Sequence, residues 1–259
     1  MDIRYTAVLA VTLLAFLGQV CAEAPKCAEG VFPVEWVSTY PEKLRGSGTK
    51  AMGKLVLSGA EYTALLALDD ASTARKNSPA ISCADYIKKN PAITTPDSAG
   101  EWSWHGASWE SSRFLRDCLI LNLIQSAKSA PSNCISGFIL APSVIHLLPS
   151  TMGLVVSTEE EREMAEDKPL TAWAPKMKFS VLKSDEGVNE LVGVLKEESE
   201  FEEDHFSAVA FGDFNADGYQ DVLLTIRDLS EGRYGELRLA VLSRKNSAAM
   251  LTHAFRADK

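Results

Sequence analysis

Basic residues are in short supply in this chain: 26 Lys and Arg stand against 35 Asp and Glu, a formal net charge of −9. That balance excludes capture of nucleic acid or of an anionic membrane surface by bulk attraction. No C-x-x-C pair occurs, so thiol-exchange enzymes and zinc knuckles have no support. No G-x-S-x-G elbow occurs either. Catalytic triads arise convergently without a motif, so this absence weighs only lightly against a hydrolase. Beyond residue 22 no run reaches the roughly 20 apolar residues that a bilayer span requires. Aromatic and aliphatic content is ordinary, which leaves material for a core.

What is present begins with an export signal. Arg4, the apolar run Ala7 to Leu17 and the small-residue site Val20-Cys21-Ala22 predict a secretory signal peptide over residues 1–22, cleaved after Ala22. Gln19 and Val20 fit poorly before a lipidated Cys21. Cleavage removes Asp2 and Arg4 together, so the net charge stays at −9. An exported protein, periplasmic or extracellular, with no membrane span after cleavage is expected. Cys27, Cys83, Cys118 and Cys134 then remain, and an even number in an exported chain predicts two disulfides with three possible connectivities. Cys118–Cys134 would close a short loop and leave Cys27–Cys83 to tie down the N-terminal segment.

Residues 23–168 read as a mainly helical region. Ser58-Gly-Ala-Glu61 is a capping box opening a helix with Tyr62, Leu65, Leu66 and Leu68. A second short helix is expected from Ser82 to Lys89, stopped by Pro91. The strongest follows a cap at Ser111 or Ser112 and runs to about Ala127, apolar around most of its circumference and therefore buried. Residues 135–148 read as short helical turns, with His146 as a core histidine. Ser157-Thr-Glu-Glu160 leads another short helix. Trp102, Trp104 and Trp109 either stack on a sugar or peptide or, as is commoner, cover the start of the next helix. His105 stands beside them.

From residue 169 to 259 the period changes to two. Met177, Phe179 and Val181 alternate with Lys178, Ser180 and Leu182, and further strands are expected over 191–195, 206–211, 222–226, 237–242 and 250–255. Short connections favour antiparallel pairing. The expected fold class is α+β: a mainly helical, disulfide-stapled N-terminal half packed on a C-terminal antiparallel β-meander.

Between two of those strands lies Asp213-Phe-Asn215-Ala-Asp217-Gly218-Tyr219-Gln-Asp221. Side-chain oxygens recur at 213, 215, 217 and 221, and Gly218 permits the sharp turn that wraps one ion. Tyr219 is placed to add its backbone carbonyl. Three carboxylates and an amide form a hard oxygen set suited to Ca²⁺, and a loop without octahedral rigidity favours it over Mg²⁺. An EF-hand would need a bidentate Glu at its twelfth position, which here is Leu224.

The run Phe211-Gly-Asp-Phe-Asn-Ala-Asp-Gly-Tyr-Gln-Asp-Val-Leu-Leu224 resembles the calcium loop of FG-GAP (VCBS-type) repeats, found in integrin α-subunit propellers and many bacterial envelope proteins. The likeness covers about residues 206–226. It implies Asp213, Asn215, Asp217 and Asp221 as side-chain ligands and Tyr219 as a carbonyl ligand of one calcium ion. A single copy is present, so the ion-binding hairpin is implied and a propeller, which needs several blades, is not. The function expected is that of an exported binding or structural protein of the cell envelope, its β-region stabilised by calcium, with a protein or glycan partner. Two alternatives stand beside it: a secreted hydrolase with an active site around His105, and an envelope inhibitor or immunity-type protein.

Overall fold

The computed structural model describes residues 26–37, 55–57, 80–89, 109–153, 168–174, 176–183, 189–195, 203–228 and 236–255. The alternating C-terminal segments form one antiparallel sheet. Its strands are β6 (Met177–Lys183), β7 (Asn189–Leu195), β8 (Glu203–Gly212), β9 (Asp221–Asp228), β10 (Glu236–Ser243) and β11 (Thr252–His253), each paired with the next in the chain. The seventh strand comes from far upstream: β2 (Glu35–Trp36) pairs with Phe211 and Ala210 at the end of β8. Two small sheets accompany it. β1 (Ala28–Phe32) pairs with β5 (Ala130–Asn133), and β3 (Val56–Leu57) pairs with β4 (Ile81–Ser82).

Both faces of the central strands are covered, which explains why β9 reads as a continuous apolar run. One face carries Met177, Leu191, Phe206, Ala208, Val222, Leu224, Ile226, Ala240 and Leu242. It is packed by Ile135, Leu140, Leu148, Met152, Leu170 and Trp173, which lie on turns and short 3₁₀ segments. The opposite face presents Val209, Ala210, Leu223, Leu239 and Val241 to Leu119, Ile120 and Leu123 of the helix α2 (Trp109–Ser126). A bulge sets this division. Ala208 pairs with Leu224 but Ala210 with Leu223, so Val209 is an extra residue. The shift puts Val209 and Ala210 together on the helix side and returns Phe211 to the first face. Gly193 on β7 is closely packed: a Cβ there would lie 2.7 Å from Met177 Cε and 2.9 Å from Phe179 Cε1, so both side chains would have to shift.

The short helix α1 (Cys83–Lys89) begins as a reciprocal cap. The Asp85 N–H donates to Ser82 Oγ at 3.1 Å, while that hydroxyl donates to Asp85 Oδ2 at 2.7 Å. Tyr86 of α1 meets Phe114 of α2 edge to face, ring centroids 5.9 Å apart.

The mainly helical N-terminal half is overturned. Among the described residues strands outnumber helices, and α1 and α2 are the α-helices. The N-terminal region instead supplies β1 to β5, of which β2, β3 and β4 span two residues each. Two-residue pairings leave no periodicity to read, and apolar density between them mimics a buried helix. His146 is also corrected: it is exposed rather than a core residue. The signal segment 1–22, the helix opening at Ser58, the residues Trp102, Trp104 and His105, and the helix opening at Ser157 lie outside the described residues.

Two disulfides are present, with a connectivity other than the one expected: Cys27–Cys134 and Cys83–Cys118. Cys134 directly follows β5, and the β1–β5 pairing brings Cys27 beside it. α1 packs against α2, which places Cys83 beside Cys118. Tertiary pairing, not loop shortness, chose the partners. Non-reducing peptide mapping is expected to recover these two cross-linked pairs. With Cys83 and Cys118 separated by 35 positions, replacing both by alanine is expected to lower unfolding stability by about 3–4 kcal/mol in denaturant titration. Recovery of a Cys118–Cys134 peptide instead would contradict the pairing.

Candidate metal centre

The loop of residues 213–220 joins β8 to β9 and is clamped at both ends onto the chain that leaves α2. Asp213 exchanges two backbone hydrogen bonds with Lys128, at 3.0 and 2.9 Å. At the other end the Ser132 N–H donates to the Gly218 carbonyl at 3.2 Å, and the Gln220 N–H donates to the Ser132 carbonyl at 2.8 Å. Between the clamps the backbone reverses through left-handed geometry at Ala216 (φ 60°) and Gly218 (φ 88°). Glycine suits the second position without strain. Alanine at the first is a non-glycine residue held in the left-handed region by its surroundings.

Every side chain expected in the site is in this loop or at the start of β9, and each is folded onto the local backbone. Asp213 is buried; its Oδ1 accepts from the Asp217 N–H and its Oδ2 from the Gly218 N–H, both at 3.0 Å. Asn215 Oδ1 shares the Asp217 N–H, and its Nδ2 donates to Asp217 Oδ2 at 3.0 Å. Asp217 Oδ1 accepts from the Tyr219 N–H at 3.0 Å. Tyr219 is half-buried. Asp221 Oδ2 accepts from the Phe214 N–H at 3.0 Å.

The electrostatics single out two of these groups. Burial alone would raise Asp217, but the Lys245 ammonium at 2.9 Å, the Tyr219 N–H and the Asn215 amide hold its carboxyl below the usual range. Asp221 is fully buried. Desolvation pushes its carboxyl up to about 7, and the nearby carboxylates of Asp217 and Asp213 add to the rise. The Ser243 hydroxyl lies close enough to oppose that rise, yet it does not meet hydrogen-bond geometry. Both Ser243 Oγ and Asp221 Oδ1 are buried without a partner.

Does this set suit calcium? The donors are hard oxygens: three carboxylates, an amide and a backbone carbonyl, which suit Ca²⁺ in kind and number. Asp221 Oδ1 is an orphaned buried acceptor of the sort that a cation satisfies. The oxygens that accept an N–H retain a second lone pair. Against these points, among the described residues no three His, Cys, Asp or Glu side chains stand close enough together to hold a metal as placed. The residues fit calcium by chemistry, and their carboxylates have to converge further to ligate it.

Among the described residues, two histidines have side-chain partners that tie elements together. His205, on β8, places Nδ1 3.1 Å from Glu190 Oε2 and Nε2 2.8 Å from Glu203 Oε2. Both ring nitrogens are thus engaged by carboxylates, and Ser207 donates to Glu190 at 3.1 Å rather than to the ring. This is a clasp between β7 and β8, not a nucleophile and its base. His253 Nε2 meets Thr151 Oγ1 at 2.8 Å, joining β11 to the 3₁₀ segment Ser150–Met152. Sequence reasoning missed that contact, along with Lys245, Ser243 and the Lys128 and Ser132 clamps. All are remote in sequence from what they touch, and no local signal marks them.

Two outcomes follow from these environments. Glu190 is held low chiefly by its hydrogen bond to His205, and His205 is raised chiefly by the same bond, against the opposing pull of burial. A raised His contributes stability that is complete below its unfolded value near 6.5 and is lost as pH rises through its folded value. A lowered Glu contributes above about 4.5 and loses its share on acidification through its folded value. The clasp is therefore strongest between about pH 4.5 and 6.5. His205→Gln is expected to cost about 1 kcal/mol more at pH 5.5 than at pH 8.5 in urea unfolding. A cost that does not change with pH would mean the ring stays neutral. For the loop, Asp221→Asn keeps an acceptor for the Phe214 N–H and offers a donor to Ser243. In chelator at pH 8 it is expected to raise stability by about 1–3 kcal/mol, since it removes a buried unpaired charge. A drop in its melting temperature would show that the carboxylate is already compensated.

Compared with protein-family models, with curated proteins and with solved structures, the chain finds no match.

Proposed function

We propose that residues 213–221 bind one Ca²⁺ ion, with Asp213, Asn215, Asp217 and Asp221 supplying side-chain oxygens and Tyr219 its carbonyl. The observation that carries this reading is the buried, unpartnered Oδ1 of Asp221 beside two further carboxylates of the same loop. The likeness of Phe211–Leu224 to FG-GAP loops supports the same ligand set. Bound calcium supplies two positive charges to a cluster of like charges and fixes the β8–β9 connection against the Lys128 and Ser132 clamps. It is a structural ion in this reading, and no reaction passes through it.

The wider role is that of an exported binding or structural protein of the cell envelope. Two disulfides agree with an oxidising compartment. Among the described residues no helix is long and apolar enough to cross a membrane. The charge balance disfavours nucleic acid as a partner, and this reading expects a protein or glycan instead.

Calcium binding to one site, with none to the unfolded chain, stabilises by about 1.4 kcal/mol at a free concentration tenfold above its dissociation constant. For a chain of this size that is a rise in Tm of about 3–6 °C. Exported modules bind in the range of about 10⁻⁴–10⁻³ M, so millimolar calcium is the concentration to use. Calorimetric melts with calcium and with chelator are expected to show the rise in wild type and its loss in Asp217→Ala. If wild type melts identically in both buffers and titration calorimetry detects no binding, residues 213–221 form a turn and nothing more.

A further inference from the structure

The ammonium of Lys245 lies 2.9 Å from Asp217 Oδ2, so a cation already stands on one of the side chains assigned to calcium. It arrives on a held tether. Lys245 sits in the turn from β10 to β11, and the preceding Arg244 pins that turn. Arg244 Nε donates to the Ala249 carbonyl at 2.7 Å, one terminal nitrogen donates to the Ser247 carbonyl, and the other reaches the Cys134 carbonyl at 3.4 Å. Asn246 tightens the turn, its Oδ1 accepting from the Ala248 N–H and its carbonyl from the Ala249 N–H, each at 2.9 Å. The backbone under Lys245 is thereby fixed, while its side chain is 61% exposed. It can leave Asp217 for water without disturbing the sheet. Asp221 Oδ1 remains buried and unpartnered in the same loop, so the lysine compensates only part of the charge.

From this arrangement we infer that Lys245 is a tethered counter-cation of the loop, seated on Asp217 when calcium is absent and displaced when calcium binds. The inference rests on the calcium reading and adds a determinant of affinity and selectivity to it. An ammonium offers three donors and one charge, whereas Ca²⁺ takes 6–8 oxygens and brings two charges. Calcium can gather Asp213, Asn215, Asp217 and Asp221 at once, which the lysine cannot. A monovalent cation gains little by replacing a monovalent group already in place. Lys245 thus biases the site toward divalent ions and weakens calcium binding by whatever its own pairing with Asp217 contributes. For an exposed pair this reaches about 1 kcal/mol, equivalent to about fivefold in the dissociation constant.

The test is titration calorimetry with calcium chloride alone on wild type, Lys245→Met and Lys245→Arg, with melts of each in chelator. Lys245→Gln replaces the methionine variant if that protein does not fold. Lys245→Met is expected to bind calcium about two- to fivefold more tightly than wild type and to melt lower in chelator, where the loop loses its counter-charge. Lys245→Arg is expected to stay within about twofold of wild type, because it keeps the charge. If wild type and Lys245→Met bind with equal constants, or the variant binds more weakly, the inference falls and the calcium reading stands. If wild type shows no binding and Lys245→Met does bind, the lysine blocks the loop instead of yielding to calcium, and the inference falls. If neither protein binds calcium, both readings fall.

Discussion

Strand β9 is buried on both faces, and that constraint reaches every part of the loop before it. Val222, Leu224 and Ile226 pack into one core while Leu223 packs into the other, so the strand has no solvent side on which to begin. Its first residue, Asp221, is drawn into the same dry environment, where an ionised carboxylate is costly without a partner. The Phe214 N–H satisfies one of its oxygens and leaves the other exposed to the field of Asp213 and Asp217. The loop therefore sets the buried Asp221 carboxylate beside two further negative charges. Compensation has to come from the chain or from an ion.

The parts that hold the loop come from distant sequence, and the disulfides place them. α2 ends at Ser126, and within six residues the chain clamps the loop at Lys128 and again at Ser132. Cys134 then bonds to Cys27, which anchors β1 beside β5. A few residues later β2 completes the edge of β8 at Phe211 and Ala210. The N-terminal segments thus serve as supports for the β8–β9 connection. Their brevity explains why the expectation of a helical half misled: a two-residue strand contributes hydrogen bonds and position but no pattern.

The longer elements were legible because they bury alternating or continuous apolar sets. The strand expected over 206–211 forms as Glu203–Gly212 and that over 222–226 as Asp221–Asp228, while the helix expected after a cap at Ser111 or Ser112 forms as Trp109–Ser126, with both serines inside it. The bulge at Val209 was not legible, since Val-Ala reads equally well on either face. That Asp213, Asn215, Asp217 and Asp221 lie together on one turn and its exit was legible from spacing, because a tight loop makes sequence neighbours spatial neighbours. Lys245 and Ser243 were not, being 28 and 22 positions from Asp217 and Asp221. Disulfide pairing failed for the related reason that loop length carries less information than which strands pair.

If the proposed calcium reading holds, three cations can neutralise this loop, and they differ in reach. A proton can serve Asp221, whose carboxyl is pushed up to about 7, but it leaves Asp213 and Asp217 charged. The Lys245 ammonium serves Asp217 and, mounted on an exposed stem, leaves Asp221 Oδ1 unpartnered. Each therefore brings at most one positive charge to a cluster of three carboxylates. A divalent ion that accepts many oxygens in a pliable geometry can address all three carboxylates at once. The excess of acidic over basic residues across the chain raises the local concentration of every cation but does not choose among them. In the calcium reading the choice rests on charge and denticity: carboxylates at 213 and 217, an amide at 215 and a further carboxylate at 221, at the root of a buried strand, suit an ion that is both multivalent and multidentate better than either a proton or an ammonium.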